Sequence, residues 1–287
     1  MLAQLKLVQP TSVAEACSAL EDYGDKAKVY AGGAELLLLL RNGLMQAEVL
    51  VDVKKIEGMH GIRAANGSLS VGACVTHGEL ARSAILREHA PSLAYAESQV
   101  ANVRVRNQGT LGGNLAFNDP HSDPGTVLLI HNASVTVGSE KGEQRVALRD
   151  FFLDMYATVL EPSELLLEID IPALPAGMKS AYRRLHRYQR PTLGVAVGVC
   201  LSNGAVEDVR IAVGCVAPIA QRLTGLEAKL KGIKPSDAAR IVAEAKHSLR
   251  ETLHPVDDLL GSSEYKLYMT EIFICDALEQ ATGRAIQ

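Results

Sequence analysis

The sequence predicts an α+β protein in three parts, and three observations carry that prediction. Short strand-like and helix-like segments intermingle up to the break Pro172-Ala173-Leu174-Pro175-Ala176-Gly177, a Pro- and Gly-bearing stretch of the kind that separates domains. Beyond it come three extended segments and then only helical patterns. Two glycine pairs, Gly32-Gly33 and Gly112-Gly113, punctuate the earlier parts, each in a run of small residues.

The first part reads β-α-β-β. Lys6-Leu7-Val8 is a short strand, and Pro10-Thr11-Ser12 opens a helix with Ser12 and Glu15 in capping-box spacing. Val13, Ala16, Cys17 and Leu20 fall on one helical face, and Gly24 ends it. Lys28 to Ala31 is strand-like and runs into the first glycine pair. Leu36 to Leu40 predicts a buried helical turn stopped at Asn42-Gly43, and Glu48 to Val53 another strand.

In the second part, Ile62 to Val75 predicts a hairpin around Asn66-Gly67, a pair that accepts the positive φ of a tight turn. Thr76 and Glu79 are spaced as a second capping box. Pro91-Ser92-Leu93 starts a helix toward Val100, and the central glycine-rich loop follows. Val127 to Ile130 continues as helix, Ala133 to Val137 as strand, Arg149 to Phe152 as a short edge, and Leu165 to Ile171 as a strand closed by Pro172. In the third part Ala181–Arg187, Leu193–Leu201 and Val206–Val216 are the strands, the last two joined at Asn203-Gly204. Leu223–Leu230, Ser236–Leu249 and Tyr265–Ala281 are the helices.

Bulk properties exclude several classes. The 287 residues, 47% hydrophobic and 22% charged, suit an ordinary globular chain with room for more than one domain. A net charge of −4 without charged blocks gives no support for nucleic-acid binding. The run Leu36–Leu40 is too short to span a bilayer, and Met1–Lys6 lacks the features of a signal peptide, so the cytoplasm is expected. Cys17, Cys74, Cys200, Cys215 and Cys275 form no C-x-x-C pair, and the eight histidines are scattered. Spacing therefore indicates neither zinc nor an iron–sulfur cluster, and the cysteines are expected to pack as small hydrophobes.

The glycine segments carry the chemistry. Glycine lets main chain approach a bulky anion, because no Cβ stands between amide N–H and phosphate oxygen. Val29-Tyr30-Ala31-Gly32-Gly33-Ala34-Glu35-Leu36 is one such segment. Arg106-Asn107-Gln108-Gly109-Thr110-Leu111-Gly112-Gly113-Asn114-Leu115, followed by Asp119-Pro120-His121-Ser122-Asp123, is the other. Two of them predict a phosphate or dinucleotide site, against the plainer reading that each pair is a tight connection between packed elements. Neither G-x-x-x-x-G-K-[ST] nor a strand–turn–helix G-x-G-x-x-G is present, which argues against a P-loop nucleotidase and a Rossmann site.

Ala31–Leu36, Thr110–Leu115 and Asp119–Asp123 together resemble the FAD-binding medium subunit of the molybdenum hydroxylases, the family of aerobic carbon monoxide dehydrogenase, 4-hydroxybenzoyl-CoA reductase and xanthine dehydrogenase. Val71–Leu80 resembles the strand and helix that follow in that family, and Ser263-Glu264-Tyr265-Lys266 its last helix. The resemblance implies a two-subdomain, PCMH-type FAD-binding fold over residues 1–57 and 58–176. It also implies a C-terminal flavoprotein domain, 177–287, with a three-stranded antiparallel sheet and helices.

It further implies non-covalent FAD, a large molybdopterin subunit, a small subunit with two [2Fe–2S] clusters, and a dimer of such heterotrimers. Electrons would enter FAD from the clusters and leave to an external acceptor. By position, Ala31, Gly32, Gly33, Ala34, Glu35, Leu36, Thr110, Gly113 and Asn114 match residues at the pyrophosphate and its surroundings. Asp123 matches a carboxylate that reaches sugar or ribityl hydroxyls, or caps the loop Ser122-Asp123-Pro124. Leu165 and Leu166 match apolar positions near the isoalloxazine, or are plain core. Arg183 matches a cation near the flavin that would favour its anionic reduced form, or lies on a solvated strand face. No catalytic acid or base and no metal ligand is assigned.

The chain departs from the family pattern in places. Ala34 stands where a polar side chain is usual, Glu35 replaces Ser or Asp, and Arg190-Pro191-Thr192-Leu193 replaces an acidic-aromatic-alanine segment. No cysteine-bearing insertion suggests a [4Fe–4S] cluster. Two other readings stay open: a stand-alone flavin oxidoreductase with its own substrate pocket, and a scaffold subunit that has lost the cofactor.

Overall fold

A computed structural model of the chain describes residues 5–65, 67–186 and 189–283. Asn66, expected in a turn, Arg187, expected to end a strand, and Met1–Gln4 lie outside them.

Strand β1 (Lys6–Val8) leads to helix α1 (Val13–Tyr23). Ser12 Oγ accepts from Glu15 N at 3.2 Å, but the Glu15 carboxylate takes the Thr11 N–H and hydroxyl, so the expected box closes one residue early. Ala16, Cys17 and Leu20 are the buried face. Strand β2 (Ala27–Tyr30), helix α2 (Leu36–Arg41) and strand β3 (Val49–Asp52) complete the unit. Its sheet is parallel in order β1-β3-β2, with central β3 buried at every position. The leucines of α2 correct one expectation, because none of its residues is buried.

Strands β4 (Ile62–Ala65) and β5 (Ser68–Gly72) form the predicted hairpin. Helix α3 (His77–Arg82) opens with the predicted capping box of Thr76 and Glu79. Helix α4 (Ala84–His89), unforeseen, precedes α5 (Pro91–Gln99). The central glycine-rich loop is mostly helical. Helices α6 (Val103–Gln108) and α7 (Leu111–Phe117) meet in a bend at Gly109-Thr110.

Helix α8 (Pro124–Ile130) is buried throughout. It is followed by strands β6 (Ser134–Ser139) and β7 (Gly142–Ala147), helix α9 (Leu148–Phe151), strands β8 (Phe152–Asp154) and β9 (Ala157–Thr158), and strand β10 (Leu165–Pro172). The second sheet runs β4-β5-β10-β6-β7.

The third sheet comprises β11 (Lys179–His186), β12 (Pro191–Ser202), β13 (Ala205–Gly214) and β14 (Gln221–Arg222). It is antiparallel with four strands, not three; the two-residue β14 is too short to show a strand period in the sequence. The expected helix Ser236–Leu249 divides at Ala245 into α11 (Ala238–Glu244) and α12 (Lys246–Leu253), between α10 (Thr224–Leu230) and α13 (Ser263–Thr282).

Strand β12 joins this sheet to both sides, because successive side chains point to opposite faces. Leu193, Val195, Val197 and Val199 enter the core shared with the last helices, while Ala196 and, on β13, Ala212 enter the core of the preceding parts. The second face is built of small residues, so α8 lies close. A Cβ on Gly214 would stand 2.0 Å from Thr126 Oγ1, and one on Gly194 2.3 Å from the Tyr182 hydroxyl. That close approach sets Asp123, the residue just before α8, against the third sheet.

Candidate functional site

One cavity of about 460 Å³, within the range of small-molecule sites, opens where the three parts meet. The segment 31–36 lines one wall. Thr110, Gly113 and Asn114 line another, with Asp119, Ser122 and Asp123 beyond them, and Gln189, Arg190 and Pro191 close it from the third sheet. Ten of the predicted site residues therefore share one space: Ala31, Gly32, Gly33, Ala34, Glu35, Leu36, Thr110, Gly113, Asn114 and Asp123. Leu36, Leu38 and Leu39 also line it, which is why α2 is apolar without being core.

Three predicted residues lie elsewhere. Leu165 and Leu166 are buried in β10 opposite Gly138 and Val137, so their plain role is core packing. Arg183 pairs with Asp276 at 2.6 Å on a half-exposed face, outside the cavity lining. Among the described residues two cations do line the cavity, Lys28 and Arg190, and Arg190 belongs to the segment noted as a departure from the family pattern. Arg190 bonds Asp119 at 2.5 Å and approaches Glu35 at 3.5 Å. Burial pushes the Glu35 carboxyl up, Arg190 opposes this and Asp119 adds to it.

The glycines divide their work. A Cβ on Gly32 would meet Gln108 O at 2.0 Å, and one on Gly112 would meet the Ala73 Cβ at 2.4 Å, so these two serve close packing of chain on chain. Gly33 has φ +71, a conformation glycine accepts readily. Among the described residues, and apart from its own helix backbone, a Cβ on Gly113 would meet only Thr110 Oγ1, at 2.9 Å.

The donors divide too, and not as expected. The amides of Leu111, Gly112, Gly113 and Asn114 are spent on Val75 O, Ala73 O, Thr110 Oγ1 and Thr110 O. The second segment therefore offers a ligand room and side chains rather than main-chain N–H groups. Asn114 accepts from Ser122 Oγ at 2.6 Å through Oδ1, which fixes its amide and leaves Nδ2 as donor. In the first segment, Gly32, Gly33, Ala34 and Glu35 donate no main-chain hydrogen bond to the described residues.

Asp123 is 3% exposed, and both its oxygens face the third sheet: Tyr182 donates its hydroxyl to Oδ1 at 2.6 Å, and Arg184 stands 3.4 Å from Oδ2. Burial pushes its carboxyl up to about 6, against the pull of Arg184 and the Tyr182 hydroxyl. Tyr182, buried beside that carboxylate, has its phenol pushed well above the ordinary value, so it remains a donor. His121, also in the lining, bonds Pro191 O at 3.0 Å and Asp258 at 3.1 Å. Sequence reasoning missed Arg190, His77 and His121 as lining residues. Arg190 left a signal as a charged residue in an unusual place and His121 as part of the Asp119–Asp123 motif, whereas nothing in the sequence marked His77.

Comparison with known proteins agrees with this architecture. Residues 3–174 match the family model described as FAD binding domain in molybdopterin dehydrogenase, and residues 179–281 that of the CO dehydrogenase flavoprotein C-terminal domain. The carbon monoxide dehydrogenase medium chain of Hydrogenophaga pseudoflava is 34% identical over 278 residues, covering 96% of each chain. The nicotine 6-hydroxylase medium subunit of Paenarthrobacter nicotinovorans is 30% identical over 284 residues, covering 99% of each. A solved structure of carbon monoxide dehydrogenase from Hydrogenophaga pseudoflava superposes with a TM-score of 0.93 at 34% identity, over 99% of both chains. The chain belongs to the FAD-binding medium subunits of the molybdenum hydroxylases, a family of oxidoreductase complexes.

Proposed function

We propose that this chain carries non-covalent FAD as the electron-transfer subunit of a cytoplasmic molybdenum hydroxylase complex. In this reading a small partner with [2Fe–2S] clusters delivers electrons, a large molybdopterin partner oxidises the substrate, and an external acceptor discharges the flavin. The assembly is a dimer of heterotrimers, and the chain divides at residues 57 and 176 into two FAD-binding subdomains and a flavoprotein domain.

The observation that carries the proposal is the convergence of both glycine segments on one cavity. The residues present fit the group. Unengaged amides from Gly32 to Glu35 suit a diphosphate, the open flank of Gly113 admits it, and Asn114 Nδ2 adds a donor. The apolar face of α2 suits a planar ring. When bound, the flavin supplies the redox chemistry, and the protein supplies binding and orientation. Arg190 ties the third sheet to both walls through Glu35 and Asp119. Asp123, with its oxygens held by Tyr182 and Arg184, orients the base of the site and needs a local rearrangement to accept a ligand hydroxyl.

The test is purification of the chain with its co-expressed partners, followed by flavin, iron and molybdenum analysis. One FAD per chain, released by acid precipitation, with iron and molybdenum in the complex, is the expected result. A colourless chain that takes up no FAD would refute the proposal.

A further inference from the structure

Apart from the groups just described, the cavity wall holds a histidine whose surroundings call for explanation. His77 is 2% exposed and lines the cavity. Its Nδ1 lies 2.6 Å from Glu97 Oε2, and Glu97, on α5, is fully buried. The other carboxylate oxygen, Oε1, is buried with no hydrogen-bond partner, so the imidazole is the only hydrogen-bonding partner of this carboxylate among the described residues. A buried carboxylate with so little support is costly unless its partner carries the opposite charge. Nδ1–H held by a carboxylate also fixes the ring and directs Nε2 away from it. Nε2 has no protein partner among the described residues, and it is not one of the sealed polar atoms left without a bond.

The ring stands beside the proposed diphosphate. Two main-chain bonds, His77 N to Gly109 O and Leu111 N to Val75 O, lace the start of α3 to the bend between α6 and α7. At that bend a Cβ on Gly109 would lie 3.2 Å from His77 Cδ2, the carbon next to Nε2, and 3.6 Å from the Ala34 Cβ. His77 thus faces the wall position where Ala34 offers only a methyl group, on the side where the amides of residues 111–114 are already engaged.

We propose that His77, positioned by Glu97, donates a hydrogen bond from Nε2 to the diphosphate of the bound dinucleotide, beside the methyl group of Ala34. The inference rests on the FAD reading above. A hydrogen bond to one charged phosphate oxygen corresponds to roughly a 10- to 100-fold gain in affinity.

The test is FAD titration of the flavin-free full-length chain, read by quenching of flavin fluorescence, together with the ³¹P spectrum of the bound FAD. His77→Ala is expected to raise the Kd about 10- to 100-fold and to move one diphosphate resonance. His77→Gln, which keeps a neutral donor and guards against a fold defect, falls between. Glu97→Gln moves the same resonance in the same direction, a change that loss of packing alone does not produce. Adding Ala34→Ser to His77→Ala restores part of the affinity. Wild-type chain that binds no FAD overturns both the functional reading and this inference. FAD bound equally by wild type and both His77 variants, with unchanged ³¹P resonances, overturns the inference alone.

Discussion

Gly32 and Gly113 look interchangeable in the sequence, yet the structure predicts opposite outcomes when each becomes alanine. A methyl at residue 32 would sit 2.0 Å from Gln108 O and 2.9 Å from Gly109 Cα, both main-chain atoms that cannot rotate away. Ordinary contact requires a separation more than an ångström longer, so the first and second walls must part. Overpacking against backbone costs about 3 kcal/mol, roughly a 6–12 °C fall in Tm for a domain-sized cooperative unit. Because the parting walls are those of the cavity, FAD affinity falls with stability.

At residue 113 the one atom within 4 Å among the described residues, apart from the helix's own backbone, is Thr110 Oγ1, at 2.9 Å. Loss of part of that cap, about 1 kcal/mol, is offset by the better helix propensity of alanine, also up to about 1 kcal/mol. Tm therefore stays within a few degrees of wild type. The methyl projects into the space proposed for the diphosphate, however, and displacing one charge-assisted hydrogen bond there weakens FAD at least about tenfold. Differential scanning fluorimetry of the flavin-free chain and an FAD titration separate the two effects. If Gly113→Ala loses stability while retaining FAD, or Gly32→Ala is as stable as wild type, the assignment of packing to one glycine and ligand clearance to the other is wrong.

Three further outcomes follow from the polar contacts. Arg190→Met removes a half-exposed cation from Asp119 and Glu35, so its stability change stays below about 1 kcal/mol, but the flavin dissociation rate rises several-fold in stopped-flow trapping. Asp123 is a carboxyl raised from 3.8 to about 6 by burial, which binds its proton more tightly in the folded state. Its contribution is most favourable at low pH and is lost as pH rises from about 4 to about 6, by about 3 kcal/mol in all. Urea denaturation of the flavin-free chain across that window should show the slope in wild type relative to Asp123→Asn, and parallel profiles would contradict it. Arg222 holds Glu227 through two bonds, at 2.6 and 2.8 Å, and Glu227 also accepts the Ile211 amide. Arg222→Met leaves that carboxylate buried without its cation, a loss of about 3–5 kcal/mol measurable as a lowered urea midpoint.

Elements with a strong local signal were legible in the sequence. The Thr76–Glu79 box, the Ser12 cap, the strand pair around Asn203-Gly204 and the long last helix depend on contacts within a few residues, and each stands where its pattern places it. The glycine-rich segment was misjudged as loop for a physical reason. Thr110 caps the amide of Gly113, and Ala73 O takes that of Gly112, so a turn with poor intrinsic propensity becomes helical through one side chain and the turn that follows β5. Neither partner is visible in a pattern of helix periodicity. Leu36 to Leu40 misled in the opposite direction, since apolarity marks what avoids water without distinguishing a core from a ligand wall.

The exchange of Arg183 for Arg190 shows where sequence position loses its power. Arg183 lies in β11, where alternation allows only two faces, and the face it occupies carries Asp276 rather than the cavity. Arg190 lies just before β12, on the segment that crosses to the first two parts. It reaches the cavity because the small-residue face of the third sheet draws β12 against α8. Gly194, Ala196, Gly198, Ala212 and Gly214 thus act at a distance on the site: the closeness of that packing sets where Arg190, Tyr182 and Arg184 meet Glu35, Asp119 and Asp123. A substitution such as Gly214→Val, which carries its bulk toward Thr126, would lift the third sheet from α8 and withdraw the cation and the Asp123 partners together. The third part is therefore a wall of the cavity, and the determinants of that wall lie in the alternation of glycine and alanine with valine along β12 and β13.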